Sequence, residues 1–179
     1  MAAPGADAPN MTTDSALPAV QAGDARLQQL LGWLGALSPQ WGLAPESLRP
    51  ASNDASFRRY FRIDAGHPGH RSLIVMDAPP PMEDCRPFVE VARLFAQAGM
   101  NVPQVLEADL RQGFLLLTDF GSTTYLDVLD AGNADALYAD ASRALVALQS
   151  ASRESVLPAY DRELLLRELM LYPDWYLAR

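Results

Sequence analysis

The sequence predicts an α+β chain in which a five-stranded antiparallel sheet with a covering helix precedes a region made only of helices. Three observations support this prediction. In the first half of the chain, apolar and polar residues alternate with a period of two, and turn-forming segments separate the alternating runs. From residue 122 onward, apolar residues recur instead at three- and four-residue steps. The order of elements is therefore helix, three strands, helix, two strands and then helices.

The first helix is predicted to begin after Asp24, a suitable N-cap, and to end before Pro39. Alternating residues over 57–64 and 71–76 flank a His-Pro-Gly-His turn and predict a hairpin. A further strand over 47–52 extends this hairpin.

A second helix over 83–98 carries its apolar residues on one side, so it should cover a face of the sheet. Short apolar runs at 104–108 and 114–118 form a second hairpin and complete the five strands. Helices follow over 122–129 and 134–151, and a last one is expected to start at Asp161.

The composition is that of a globular chain: of 179 residues, 49% are hydrophobic and 20% are charged. The apolar runs are far shorter than the roughly 20 residues that cross a bilayer, so no transmembrane helix is expected. Cys85 is the single cysteine, which excludes an intrachain disulfide and fits a reducing compartment. Residues 1–23 lack the features of a secretion signal, so we predict a disordered tail and a cytoplasmic location.

The charges are unevenly distributed. All 14 basic residues are arginines, and 22 acidic residues bring the net charge to −8, which disfavours general binding to nucleic acid or to an anionic membrane. Residues 49–71 nevertheless hold five arginines and two acidic residues. This segment is the part of the chain suited to meet an anion.

Four segments of the sequence are distinctive when taken together: 52–62 (SNDASFRRYFR), 74–80 (IVMDAPP), 113–121 (GFLLLTDFG) and 166–175 (LRELMLYPDW). They resemble the aminoglycoside phosphotransferase family, which has the protein-kinase-like fold. Within that family they are most similar to the kinases that phosphorylate N-acetylmuramate and N-acetylglucosamine at the anomeric position in cell-wall recycling. The resemblance extends over residues 27–179. It implies a kinase-like small lobe over 24–118, a hinge over 119–122 and an incomplete helical large lobe over 123–179.

The resemblance assigns the first segment to a loop over the nucleotide phosphates. Asn53, Ala55 and Ser56 are small enough to let backbone N–H groups approach phosphate oxygens. Arg58 and Arg59 follow, and a guanidinium group pairs well with phosphate. Strand alternation puts Arg58 and Arg62 on one face and Arg59 on the other, so all three cannot serve one phosphate. A solvated hairpin edge is the alternative interpretation.

The second segment departs from the kinase pattern. A kinase strand carries a phosphate-binding lysine that pairs with a glutamate of the covering helix. The matching position here is Met76, and helical spacing turns Glu90, the natural partner, away from the apolar side of its helix. Either Arg58 or Arg59 replaces the lysine, which we favour slightly, or nucleotide binding is weak. A plain core role for Met76 is the alternative.

The third segment contains an Asp-Phe-Gly sequence, which we do not interpret as a magnesium motif because no catalytic loop precedes it. The resemblance instead implies the hinge, where the backbone of Thr118, Asp119 and Phe120 hydrogen-bonds the adenine edge. An ordinary strand-to-helix turn capped by Asp119 or Ser122 is the alternative.

The family's catalytic aspartate and metal aspartates have no counterpart up to Arg179. We therefore assign no catalytic residue and no metal ligand, and we expect this chain alone to be an inactive amino-terminal part of a kinase. The resemblance implies ATP and Mg²⁺ as cofactors and an amino sugar as substrate, with an aminoglycoside as the alternative acceptor. A kinase-like binding module without activity is the second hypothesis. In either case, uncovered apolar helices are expected to favour self-association.

Overall fold

The computed structural model describes residues 24–53, 56–80 and 82–177. The predicted tail at residues 1–23 and the site residue Ala55 lie outside the described residues. The elements are α1 (Ala25–Trp41), β1 (Leu43–Asn53), β2 (Arg59–Ala65), β3 (Ser72–Asp77), α2 (Arg86–Gln97), β4 (Val105–Asp109), β5 (Phe114–Thr118), α3 (Tyr125–Val128), α4 (Ala134–Ser150), α5 (Arg162–Leu171) and a π-helical turn (Tyr172–Leu177). Their order confirms the predicted α+β fold.

The five strands form one sheet in the order β1-β2-β3-β5-β4. All four neighbouring pairs are antiparallel. The pairing of Tyr60 with Met76, and of Met76 with Leu115, places β3 at the centre of the sheet. β1 lies at an edge and contains register shifts beside Pro50, a residue that sheets tolerate in edge strands and at bulges.

Each face of the sheet has its own apolar cluster, because successive strand residues point to opposite sides. On one face, Leu30 and Leu34 of α1 pack with Ile63, Val75 and Phe114 of the strands. The sequence predicts one covering helix and does not indicate what the first helix packs against. The sheet is in fact covered from both sides, by α1 on one face and by α2 on the other.

The second face carries a smaller cluster, which includes Met76, Leu115 and Leu117. Phe88 and Val89 of α2 pack against it. No residue of α2 is fully buried, so this helix covers the sheet with one partly exposed side.

The predicted end of α1 before Pro39 was wrong, since the helix continues through this residue to Trp41. Pro39 lacks the N–H that would donate to the carbonyl of Gly35, so the helix loses one hydrogen bond. The proline ring also approaches this carbonyl, but Gly35 has no side chain that would add to the crowding. The helix ends instead at Gly42, where φ is +60° and the N–H donates to the Ser38 carbonyl at 2.8 Å. A Cβ at Gly42 would lie 3.0 Å from the backbone of Gly66, so both the turn and the packing favour glycine.

Other boundaries also differ from the prediction. β2 begins at Arg59 rather than at residue 57, and Phe57 is 59% exposed. The Phe57 N–H donates to the carboxylate of Glu83 instead of to a neighbouring strand. The helix predicted over 122–129 is reduced to the four residues of α3.

By their internal contacts the residues form two compact units. The first runs to Gln97 and continues over Asn101–Val128, and it holds the sheet with α1, α2 and α3. The second comprises Ala98–Met100 and the residues from Leu129 onward, with α4, α5 and the π-helical turn. The predicted hinge at 119–122 therefore lies within the first unit, and its role as a hinge stays a prediction.

The second unit exposes many large apolar side chains, most of them on its helices. Several are more than 60% exposed: Tyr138, Tyr160, Leu169, Trp175, Tyr176 and Leu177. Self-association through these surfaces stays a prediction. Among the helices of the described residues, none combines the length and apolar character that a bilayer crossing requires.

Candidate functional site

A buried ion-pair network lies at the end of β3. The carboxylate of Asp77 is fully buried, and its Oδ1 accepts hydrogen bonds from Arg26 Nε at 2.9 Å and Nη2 at 2.7 Å. Its Oδ2 accepts from Arg59 Nε at 2.9 Å and Nη2 at 2.6 Å. Arg59 also donates from Nη1 to Asp24 Oδ2 at 2.7 Å. The N-terminus of α1 is thereby fastened to the sheet.

The network engages one of the two arginines predicted as phosphate ligands. Burial lowers the pKa of Arg59, but the hydrogen bonds to Asp24 and Asp77 raise it by more, so the net shift is upward. The guanidinium also lies over the ring of Phe61, on the α1 face of the sheet, with 5.7 Å between its carbon and the ring centre. Arg59 thus makes structural contacts on the α1 face, and its role as a phosphate ligand stays a prediction.

Arg58 is placed differently. Its Nε donates to Glu83 Oε2 at 3.1 Å, and the other oxygen of Glu83 accepts from the Phe57 N–H at 3.2 Å. Burial lowers the pKa of Arg58, whereas hydrogen bonds to Tyr60 and Glu83 raise it above its ordinary value. Tyr60 pairs with Met76 across β2 and β3, so the two side chains share a face of the sheet. Arg58 comes two residues before Tyr60 and therefore lies on the same face, which carries the position of the missing lysine.

Met76 itself is fully buried in the second cluster. Its side chain fills the core between β3 and α2, which supports the alternative interpretation that the sequence left open. Glu90 lies on the outer side of α2, as helical spacing predicts, and pairs there with Arg93 across one turn. The described structure therefore holds no ion pair at the usual lysine and glutamate positions.

Residues of the predicted phosphate loop are only partly described. Asn53 is the last residue of β1 and pairs with Arg59 in the sheet. The Ser56 hydroxyl accepts a hydrogen bond from the Arg58 N–H at 3.1 Å and so closes a local turn. The binding roles of Asn53, Ala55 and Ser56 stay predictions.

Asp119 follows β5 and is anchored from three directions. Its carboxylate, with the side chain 5% exposed, accepts from Arg62 Nε at 2.6 Å and Nη2 at 3.0 Å. Ser72 Oγ donates to it at 2.6 Å and the Gly121 N–H at 2.8 Å. The hydrogen bond from Arg62, opposed by burial and aided by Ser72 and Gly121, lowers the pKa of Asp119 to about 2. The carboxylate therefore stays ionised at neutral pH.

The three predicted adenine-binding residues differ in what they offer. The N–H of Thr118 donates to the Gln104 carbonyl at 3.1 Å, and its hydroxyl accepts from the Gln104 N–H at 3.0 Å. The carboxylate of Asp119 already accepts hydrogen bonds from Arg62, Ser72 and the Gly121 N–H. Among the described residues, none forms a hydrogen bond with the backbone of Phe120, whose side chain is 56% exposed. Phe120 can therefore present its backbone to a ligand, and so can Asp119, whose backbone also forms no hydrogen bond among the described residues.

Sequence reasoning missed Arg26, Asp77, Glu83 and Ser72 as partners in these networks. Of these four, only Glu83 could have been selected from the sequence as a residue with a structural contact. It lies at the predicted start of α2, and acidic residues often interact with the N-terminus of a helix. Within residues 24–53, 56–80 and 82–177, no group of three His, Cys, Asp or Glu side chains could hold a metal ion.

Comparison with known proteins shows which family the chain resembles. Residues 47–179 match the phosphotransferase enzyme family (APH). The N-acetylmuramate/N-acetylglucosamine kinase of Pseudomonas aeruginosa is 58% identical over 163 residues, which cover 87% of this chain and 47% of that protein. The kinase of the same name from Pseudomonas putida is 50% identical over 87% of this chain, and that from Neisseria meningitidis is 43% identical over 84%.

This chain spans about half the length of these relatives, 47% of the first two and 44% of the third. The family match alone covers well over half of the 179 residues. The resemblance inferred from the four sequence segments is confirmed: the chain belongs to the phosphotransferase enzyme family.

Proposed function

We propose that this chain is the nucleotide-binding part of an ATP-dependent kinase that phosphorylates an amino sugar. The observation that carries the proposal is the 58% identity, over 87% of the chain, to a kinase named for N-acetylmuramate and N-acetylglucosamine. A cytoplasmic location and a role in cell-wall recycling belong to the same proposal.

The geometry around Phe120 supports binding of the adenine base. The residue follows the last strand of the sheet, and its backbone is without a hydrogen-bond partner among the described residues. A donor and an acceptor on one stretch of backbone suit the edge of a purine base. Phe120 and the segment around it would hold the base at one end of the sheet.

The Arg58–Glu83 pair supports binding of the phosphates. Arg58 lies at the opposite end of β2 from the hinge segment, as an extended nucleotide requires, and it is 30% exposed. Because Glu83 holds Nε, a terminal nitrogen that Tyr60 does not engage can face a phosphate. In this proposal Arg58 replaces the missing lysine, and Glu83 replaces the glutamate of the covering helix.

ATP supplies the phosphoryl group, and Mg²⁺ offsets the charge of the group in transfer. In this proposal the base lies at Phe120 and the phosphates at Arg58, whereas the described residues offer no carboxylate cluster for Mg²⁺. We place the magnesium ligands and the catalytic base in the part of the relatives' length that this chain does not span.

Calorimetric titration of the chain with ATP tests the nucleotide-binding proposal. We expect saturable binding of ATP that GTP competes for weakly. A folded chain that shows no heat with millimolar ATP would contradict the proposal.

The acceptor is tested with the full-length gene product. Phosphate transfer from MgATP should occur to N-acetylglucosamine and N-acetylmuramate, and kanamycin serves as the matched aminoglycoside control. Transfer to kanamycin alone would overturn the amino-sugar assignment while leaving the kinase assignment intact.

A further inference from the structure

Three side chains meet beside Phe120, two from strands and one from the residue that follows a third strand. Arg62 extends from β2, Ser72 is the first residue of β3, and Asp119 follows β5. The Asp119 carboxylate accepts from Arg62 at 2.6 and 3.0 Å and from Ser72 at 2.6 Å. We call Arg62, Ser72 and Asp119 the hinge latch.

The latch also fixes the residue on the far side of Phe120. Asp119 Oδ1 accepts from the Gly121 N–H at 2.8 Å, and Arg62 Nη2 donates to the Gly121 carbonyl at 2.9 Å. Both backbone groups of Gly121 are therefore held. Gly121 has a φ of +83°, a conformation that favours glycine and turns the chain sharply. Phe120 thus lies between two residues whose positions are set by the same ion pair.

We propose that the hinge latch sets the base specificity of the nucleotide site by holding the backbone of Phe120 in place. The inference rests on the proposed function and deepens it, because it assigns positioning roles to Arg62 and Ser72. Neither residue needs to touch the nucleotide for this role.

The physical reason is the opposite polarity of the two purine edges. Adenine presents an amino donor where guanine presents a carbonyl acceptor. A fixed backbone donor and acceptor satisfy one pattern, whereas the other base would cover them and leave them unpaired, and such mismatches produce strong discrimination. A backbone that is free to rotate can adapt to both bases, so the discrimination depends on the latch.

Several observations indicate that the latch is rigid. The Asp119 side chain is 5% exposed and that of Arg62 20%, so water screens the pair little. The two hydrogen bonds from one guanidinium to one carboxylate have the bidentate geometry that fixes orientation as well as distance. Arg62→Met should therefore loosen Phe120 without removing any group from the base-binding backbone.

The test compares the binding of ATP, GTP and inorganic tripolyphosphate to the wild-type chain, Arg62→Met and Ser72→Ala. We expect Arg62→Met to weaken ATP binding about tenfold and to reduce the preference for ATP over GTP by a similar factor, with tripolyphosphate binding unchanged. Ser72→Ala, which removes one of the hydrogen bonds, should act in the same direction but less strongly. Arg93→Met, which breaks the exposed pair with Glu90, is the matched control and should leave all three affinities unchanged.

The outcomes separate the inference from the proposed function. If ATP binds and the ATP-to-GTP preference is the same in Arg62→Met, Ser72→Ala and wild type, the latch is purely structural and the inference is wrong. If the wild-type chain binds neither nucleotide, the proposed function falls and the inference falls with it. Should Arg62→Met not fold, Ser72→Ala decides by its preference ratio.

Discussion

The carboxylate of Asp77 accepts two hydrogen bonds from Arg59, at 2.9 and 2.6 Å, where β3 ends. Arg26 from α1 donates two more to the same fully buried carboxylate. A buried charge is tolerated only when it is paired and hydrogen-bonded, and here every oxygen of the anion is satisfied. The position next to the usual kinase lysine is thus occupied by a buried anion that Arg26 and Arg59 neutralise.

Asp77→Ala is expected to destabilise the first unit severely. The substitution leaves two arginines facing each other without their shared anion, and losing one partner of a buried ion pair costs about 3–5 kcal/mol. Urea denaturation followed by circular dichroism measures the change in the free energy of unfolding. Glu90→Ala, which removes an exposed ion pair on α2, is the control and should cause no measurable change. Equal stability of the two variants would show that the network contributes nothing.

Gly113→Ala should also destabilise the sheet, through the backbone. Gly113 has a φ of +74°, and a Cβ there would lie 1.9 Å from the carbonyl oxygen of Ala78. Strain of the left-handed conformation and the displacement of this neighbouring backbone together should cost at least about 2 kcal/mol.

Gly99→Ala separates the two causes. Gly99 has a similar φ of +78°, but nothing lies within 4 Å of its added Cβ. Its substitution should cost only the strain, about 1 kcal/mol. If urea denaturation shows equal losses for both variants, the close approach to Ala78 is not responsible for the effect at Gly113.

The fold was largely predictable because its signals are local. Alternation over two residues located β2 and β3, and the spacing of apolar residues located α1, α2 and α4. The register of the sheet and the end of α1 were not predictable, because they depend on contacts that form only in the folded chain. Pro39 illustrates this point, because a local rule that usually ends a helix is overridden by the cap at Gly42.

The candidate site was predictable in its segments but not in its pairings. Arg62 and Asp119 are 57 residues apart, and Arg26 and Asp77 are 51 apart. Strand alternation correctly separated Arg58 from Arg59, but only the position of α1 showed which arginine lies on its side of the sheet. Which charges meet is decided by topology, and a single sequence does not display it.

Arg58→Ala should weaken the binding of ATP about tenfold while leaving the binding of adenosine unchanged, because the guanidinium is expected to meet the phosphates and not the base. Glu83→Gln should give the same pattern with a smaller loss, since it frees Arg58 from its partner and keeps the shape of the side chain. Calorimetric titration with ATP and adenosine measures both affinities.

The matched control for Arg58→Ala is Arg49→Ala, which removes an arginine whose ion pair with Asp64 is exposed. This variant should bind ATP as the wild type does. ATP binding that survives Arg58→Ala unchanged would remove Arg58 as the substitute for the lysine.

Asp119 should make a distinct contribution to the dependence of stability on pH. Its carboxyl has a pKa of about 2 in the folded chain, against an ordinary value of 3.8, chiefly because Arg62 hydrogen-bonds the ionised form. A carboxyl whose pKa is lowered on folding stabilises the protein above its unfolded pKa and loses that contribution as the pH falls through its folded pKa. The difference amounts to about 2 kcal/mol at neutral pH.

Asp119→Asn isolates this contribution from that of other carboxyls, such as Asp24 and Asp109, whose pKa values are also lowered. The free energy of unfolding of wild type minus that of Asp119→Asn should be constant from pH 7 down to about pH 5. It should then shrink between about pH 4 and pH 2, where the wild-type carboxyl takes up its proton. A difference that does not change across this interval would mean that the ion pair between Arg62 and Asp119 does not hold the carboxylate in solution.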